Sequence, residues 1–493
     1  MADNMYAGVS VQVFPNGDAA LSTPHGDVTA FLDYVRQFNG INFHAQDDDV
    51  REWRFNREYD NWQDSLGMDS VRVLHAYTHM GMAADGRYVA AMGRTWDNTF
   101  LAESTRMTFG DQRLRYLMLH GCHSLEMHGG QNPWRTWAEP NHGARMIFGF
   151  DGLTYDVGGL GAGFFREWNK GKSFSQAWQD AAFSTLTNHR PSSTACGATA
   201  EEAQDRLWNE RLFHGGAVSD SWYWWRWAGP AVIEVVITIT VPPSPMRLSV
   251  GRRSVDDEAA QHLGDRFGVR AHLAAAASPD PEHRHEGVDD ALVGPRLVLS
   301  PDGSYEVFLA EPDRYARPID LDAAREIAEQ AVRSLELDTE LVLDALTVTE
   351  HAGVSRDGEQ TEVAIADFTA HFRQLYDGTP MARGHDGHVS VTLDAGGTVC
   401  SISDRTVAIV DAVEAAPSDG YEIDVDESLG RAIAELERQL RCDGRNDSQL
   451  VLLPDTRDVS YRIDRDSAVL VAREEVEIRS GDFAIRKVLE VVL

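Results

Sequence analysis

The sequence predicts an α/β domain, built on a mainly parallel sheet flanked by helices, followed by an α+β region. Three observations predict it. Short apolar runs alternate with amphipathic helical patterns through the first 230 residues, as strands joined by crossover helices do. Two of those runs end in His-x-Gly and Gly-Cys, at the carboxyl rim where parallel sheets gather chemistry. Beyond about residue 250 tryptophan disappears, acidic residues accumulate, and the pattern becomes one helix per few antiparallel strands. This divides the chain into 1–230, a linker and β-hairpin region at 231–310, an α+β unit at 311–410 and an α+β extension at 411–493.

In order, Tyr6 to Phe14 reads as a strand closed by a Pro15-Asn16-Gly17 turn, and Val28 to Phe38 as a helix with Phe31, Leu32 and Val35 on one face. Trp53, Phe55, Tyr59 and Trp62 stud a polar stretch and pack it onto a core. Val71 to Thr78 is a buried strand leading to His79, and Arg113 to His120 is another leading to Cys122. Between them, residues 82–110 hold a possible strand pair. Ala144 to Phe150 is a further strand. The glycine-rich segment after Gly158 is neither a P-loop nor G-x-G-x-x-G, so close packing of a helix is preferred to a phosphate cradle. Ser173 and Gln176 form a capping box for the next helix. Residues 222–227, W-Y-W-W-R-W, suggest either a binding platform or a strand wedged between two domains, with packing preferred. The second half reads as a hairpin around Pro301-Asp302-Gly303, a helix from Leu321 to Leu335, several strands, a helix from Glu427 to Leu440 and two final strands.

Composition excludes several functions. Asp and Glu number 78 against 45 Lys and Arg, a net charge of −33, which argues against nucleic acid and anionic lipid. The only lysines are Lys170, Lys172 and Lys487. Such a surface suits high salt, or a GC-rich genome in which arginine codons replace lysine codons. The four cysteines lack C-x-x-C spacing, so no zinc site of the usual kind and no disulfide framework is expected. No secretory signal is visible, and the longest apolar run, Ala231 to Val241, is too short to span a bilayer; the expectation is a cytoplasmic protein.

Chemistry concentrates in two blocks, V-R-V-L-H-A-Y-T-H-M-G and L-M-L-H-G-C-H-S-L. Cys122 supplies a thiol and His79, 43 positions earlier, a base. Together they are the minimal equipment of a cysteine nucleophile. Backbone N–H groups at Gly81, Gly121 and Cys122 are the candidate oxyanion donors. Glu126, Trp134 and Trp137, in the loops after the cysteine, are candidate substrate-binding residues. His75 is expected inside its strand and His120 in the core. His283 and His285 read as a solvated loop tip. No metal and no cofactor is expected, since these histidines fall on no recognised ligand spacing.

These blocks resemble the caspase-like clan of cysteine peptidases, in which a strand ending in His-Gly precedes one ending in Ala-Cys or Gly-Cys. Residues 6–229 are most similar to an uncharacterised bacterial and archaeal family of that fold, with Trp53 and Gly67-Met68-Asp69 matching its polar stretch and turn. The resemblance implies an endopeptidase acting on protein or peptide through a Cys122–His79 dyad. Met80 is a departure, because the clan has glycine directly after the histidine. The caspase Q-A-C signature is absent. In the second half, F-R-Q-L-Y-D-G-T-P-M and G-H-V-S-V-T-L-D-A-G-G-T-V resemble PepSY and thermolysin-propeptide modules, small cystatin-like domains that inhibit or help fold a peptidase. That likeness implies intramolecular restraint by the C-terminal region. The alternative is a silent caspase-fold module that binds protein partners.

Overall fold

A computed structural model describes residues 5–83, 85–231, 241–242, 246–283, 294–384, 386–414, 424–442, 448–480 and 483–493. Most of the 231–241 run, Pro243, Pro245, His285 and the side chain of His283 lie outside the described residues.

The first 230 residues supply strands β1 (Tyr6–Ser10), β2 (Ile41–Gln46), β3 (Val73–Tyr77), β4 (Met80–Met82), β5 (Tyr88–Trp96), β6 (Thr99–Glu103), β7 (Tyr116–His120), β8 (Met146–Phe150), β9 (Pro191–Gly197) and β10 (Trp222–Pro230). Helices α1 (Pro24–Val35), α2 (Asp60–Leu66), α3 (Pro133–Trp137), α4 (Leu160–Trp168), α5 (Phe174–Thr185) and α6 (Ala200–Asn209) connect them. Strands β2-β1-β3-β7-β8 lie side by side and parallel. Strands β9 and β10 then join antiparallel, and β4, β5 and β6 form a separate small sheet. Apart from the half-buried edge strand β2, the parallel strands are buried on both faces, which is why β3, β7 and β8 read as continuous apolar runs.

The glycine-rich segment has a structural use. Gly159 and Gly161 N–H groups donate to Asp27 Oδ1 of α1 at 2.9 and 3.0 Å, so the start of α4 is anchored by a buried carboxylate. A Cβ on Gly161 would overlap the Asp27 carbonyl, so only glycine lets α4 lie this close to α1. Ser173 caps α5 as expected, its Oγ accepting from Gln176 N–H.

The second half adds β11 (Met246–Gly251), α7 (Asp257–Phe267), β12 (Arg270–Leu273), β13 (Arg296–Leu299), β14 (Tyr305–Phe308), α8 (Leu321–Arg333), β15 (Glu340–Ser355), β16 (Ala364–Tyr376), β17 (Thr379–Pro380), β18 (His388–Asp394), β19 (Val399–Asp404), β20 (Ala408–Glu414), α9 (Val425–Cys442), β21 (Gln449–Asp464), β22 (Ser467–Ser480) and β23 (Phe483–Val492). The first sheet does not stop at residue 230. Its order runs on from β10 through β15-β16-β18-β19-β14-β13-β12, and with β17 paired to β16 it is one mixed sheet of 15 strands. The aromatic strand β10 is the seam, paired with β9 on one edge and β15 on the other. Helix α8 buries Ala324, Ala328 and Val332 against Phe368, Val389 and Val391 of this extension. The remaining strands form a second sheet, β20-β11-β22-β21, with β23 also on β22.

Two buried polar groups tie the architecture together. Glu167, at the end of α4, receives Lys170 at 2.9 Å and Lys172 at 2.8 Å and also pairs with Arg405; Lys172 continues to Glu306 of β14 at 2.6 Å and Asp180 at 2.7 Å. Asp69 accepts N–H groups of Gly110, Gln112, Arg113 and Leu114 at 2.5 to 3.1 Å, shaping the loop that feeds β7. Asp69→Ala would leave the buried N–H groups of Gly110 and Leu114 without this acceptor. We expect a loss of about 3 kcal/mol or more in a denaturant titration. A change within about 0.5 kcal/mol would mean that the loop holds its shape without the carboxylate.

Candidate functional site

Strands β3 and β7 are immediate parallel neighbours, with Tyr77 opposite His120 as the last pair. His79 and Cys122 each lie two residues beyond that pair, so both stand at the same rim of the sheet. The imidazole is well positioned. His79 Nε2 lies 2.6 Å from the Ala19 carbonyl oxygen. A carbonyl only accepts, so Nε2 carries the hydrogen and Nδ1 is the basic nitrogen. The ring packs against Phe14, with centroids 4.6 Å apart, and stacks on Phe483 at 5.7 Å.

The thiol is closed off from solvent. Cys122 is 1% exposed, its Sγ lying 3.2 Å from the Ala484 carbonyl oxygen and accepting from Thr154 N–H at 3.3 Å. Burial pushes it up to about 12, and the Thr154 N–H opposes this only in part. What covers the sulfur is the C-terminal strand. Arg486 N–H donates to the Thr154 carbonyl at 3.2 Å and Asp156 N–H to the Arg486 carbonyl at 2.9 Å, a short parallel bridge centred on Tyr155. Beyond it, Lys487 Nζ reaches Asp156 Oδ2 at 2.9 Å and the Ala20 carbonyl at 3.0 Å. Burial would raise the Asp156 carboxyl, yet the Lys487 charge and hydrogen bonds from Ser22 and Thr23 hold it below the usual range.

Other expected residues fall elsewhere. Gly81 lies in β4 opposite Val89. Ala91 N–H donates to the His79 carbonyl and Ala83 N–H to that of Arg87, so ladder alternation makes 81 and 89 a hydrogen-bonded pair. Gly81 N–H is therefore committed to the hairpin, which corrects its assignment as an oxyanion donor. Gly121 is required sterically: a Cβ there would overlap the Met80 side chain, so the inserted methionine fills the space over this glycine. Glu126 accepts from His123 Nδ1 at 2.5 Å and Gly152 N–H at 3.0 Å, bracing its own loop. Its carboxyl is raised by burial but brought below its ordinary value by His123. Trp137 is fully buried, donating Nε1–H to the Ser124 carbonyl at 3.2 Å, so it belongs to the core rather than to a substrate surface. Trp134 is half-buried against that core.

Sequence reasoning missed the Ala19 carbonyl, Thr154, Asp156 and the cover at 483–487. The extended segment at 154–156 carries no periodic signal. The final strand was visible, but not its destination.

Two groups among the described residues could hold a metal ion, each bringing three ligand atoms within 4.8 Å of one another: Asp27, His75 and His120 in the core, and Glu126, His128 and Asp151 beside the cysteine loop. In the first, Asp27 Oδ2 lies 3.3 Å from His120 Nδ1 and 4.0 Å from His75 Nε2, and burial pushes His75 down to about 4. In the second, His128 Nδ1 sits 2.8 Å from Asp151. Both sets are of the imidazole–carboxylate type that suits zinc-like ions.

Residues 16–229 match a family model described as a domain of unknown function, DUF6345. That stretch, which contains both His79 and Cys122, is similar to that family. No curated protein matches the chain. Among the described residues no helix is long and apolar enough to cross a membrane.

Proposed function

We propose that the chain is a latent cysteine endopeptidase of caspase-like fold, with Cys122 as nucleophile, His79 as base and protein or peptide as substrate. Support comes from adjacent parallel strand ends delivering thiol and imidazole to one rim, from the defined basic nitrogen of His79, and from the strand order β2-β1-β3-β7-β8. In the open state the Cys122 proton passes to His79 Nδ1 and the thiolate attacks the peptide carbonyl carbon. The C–N bond then breaks as the imidazolium protonates the leaving amine, and water hydrolyses the thioester to regenerate the thiol. The observation that carries the reading is the seating of β23 across both groups, Phe483 on the imidazole and Ala484 on the sulfur. A peptide strand thus fills the place of a substrate, and the C-terminal region, whose α8 and following strands resemble a PepSY module, restrains the enzyme.

The sealed, protonated thiol also favours a second reading, a silent caspase-fold module that binds partners. One substitution separates the two. Arg486 spends its N–H and carbonyl on Thr154 and Asp156 rather than on β22, so Arg486→Pro removes a backbone bond to the cover's seat and no backbone bond of the β22 ladder, together with the side-chain contacts to Tyr155 and Glu477. For a latent peptidase, iodoacetamide should label Cys122 at least about a hundredfold faster in this variant than in the parent, with Cys196 and Cys400 unchanged. Cleavage of a peptide library should appear with it and vanish on adding Cys122→Ala or His79→Ala. Labelling of Cys122 at the rate of an ordinary thiol, without cleavage, would establish the silent module instead.

A further inference from the structure

The cover does more than shield the sulfur; its backbone is used as a bound peptide's would be. Residues two apart on a strand direct their N–H and C=O groups to the same edge. On β23, Ala484 and Arg486 face away from β22, toward the first domain. The Ala484 carbonyl meets Cys122 Sγ, and both backbone groups of Arg486 pair with Thr154 and Asp156. Around that backbone, Phe483 stacks on His79 and the Lys487 ammonium ends on Asp156. Asp156 is built into the molecule: its side chain is buried, and Ser22 and Thr23 donate both backbone N–H and hydroxyl to it. Tyr155 adds a wall, its hydroxyl donating to Glu475 at 2.7 Å.

From this juxtaposition we infer that the groove between residues 19–23 and 154–156 is an extended-peptide site that pairs a ligand strand with Thr154–Asp156. It selects a small residue at the carbonyl facing Cys122 and a basic residue three positions later, received by Asp156. The strand 483–487 is then a resident copy of the preferred ligand. Two of the chain's three lysines serve the Glu167 cluster; the third is the one placed at Asp156. The inference rests on the proposed peptidase only for calling the ligand a substrate, because the groove can bind whether or not the thiol reacts.

The test is binding, read apart from cleavage. A fluorescent peptide carrying the sequence of residues 483–489, F-A-I-R-K-V-L, is titrated by anisotropy against three full-length chains: the parent, Arg486→Pro and Lys487→Glu. The last loosens the cover by placing a second carboxylate against Asp156, and serves if the proline variant does not fold. We expect no binding to the parent, whose groove is filled, and saturable binding to a loosened chain. A peptide with glutamate in place of its lysine should bind at least about tenfold more weakly. Equal binding of the two peptides, or none to a loosened chain whose Cys122 has become reactive, overturns the groove assignment and leaves the dyad standing. Selective binding to a chain whose Cys122 stays unreactive supports the groove and removes the peptidase.

Discussion

Acidification from pH 7 to pH 4 should unfold this protein, with the midpoint between those limits. Among the buried histidines, His75, His371 and His388 are each pushed down to about 4, and His189 to about 3. Burial is the principal cause in all four, since an imidazolium loses its hydration in the core. The sign follows from linkage. A histidine whose folded pKa lies below its unfolded value stays neutral in the native state while the unfolded chain takes up protons. Its contribution is therefore present above about pH 6.5 and is lost as pH falls toward the folded value. A displacement of that size corresponds to about 3 kcal/mol for each group, and four such groups rival the whole stability of a typical domain, about 5–15 kcal/mol. Asp344 acts only further down: burial raises it, but the charges of Arg373 and Arg383 hold it well below the carboxylate range, so its contribution is lost below about pH 4, after the histidines have charged. Tryptophan fluorescence and far-ultraviolet circular dichroism against pH would follow the transition. A native signal retained at pH 4 would show that the four imidazoles gain protons without unfolding the core.

The second large effect concerns the cluster around Glu167. Replacing Glu167 by alanine would leave Lys170, Lys172 and Arg405 sharing Glu306 and Asp180, with both lysines and Glu306 buried. Removing one partner of a buried ionic group costs about 3–5 kcal/mol, because the remaining charges keep their desolvation penalty. The loss should appear as a reduced denaturant midpoint. It should also appear as faster hydrogen exchange in β14 and the residues after β19, since the cluster joins α4 to that part of the sheet. Exposed pairs give a contrast: Arg438 and Glu435 lie on the surface of α9 at 2.6 Å, and breaking them should change stability by less than about 1 kcal/mol. Similar losses at the two places would mean that water reaches Glu167.

How far the sequence discloses this molecule depends on the range of the forces involved. The strands ending at His79 and Cys122 were legible because a strand buried on both faces has to be apolar throughout, and the helix after Ser173 because its cap is local. The W-Y-W-W-R-W run, whose aromatic density favours packing over a binding platform, is the seam of the long sheet. The first helix begins at Pro24, four residues before the expected Val28, because a proline is acceptable in the first turn of a helix. Strand β2, next to β1, carried no alternation strong enough to be recognised. The extension of the first sheet beyond residue 230 was not legible, since strand order is set by which edges meet and not by any one strand's composition. The same holds at the candidate site. The cysteine and histidine lie in recognisable blocks, while their nearest neighbours come from a loop near residue 19 and a strand more than 350 positions after the cysteine.

The placement of the lysines bears on how this surface reacts. Lys170 and Lys172 are enclosed in the ion cluster, and Lys487 holds the cover in its seat with its side chain 20% exposed. An acylating reagent therefore meets no readily reached ε-amine until the last strand lifts, and the first it meets is that of Lys487. Acylation there would erase the charge that returns the strand to Asp156, so a brief exposure to such a reagent would hold the groove open after the reagent is gone.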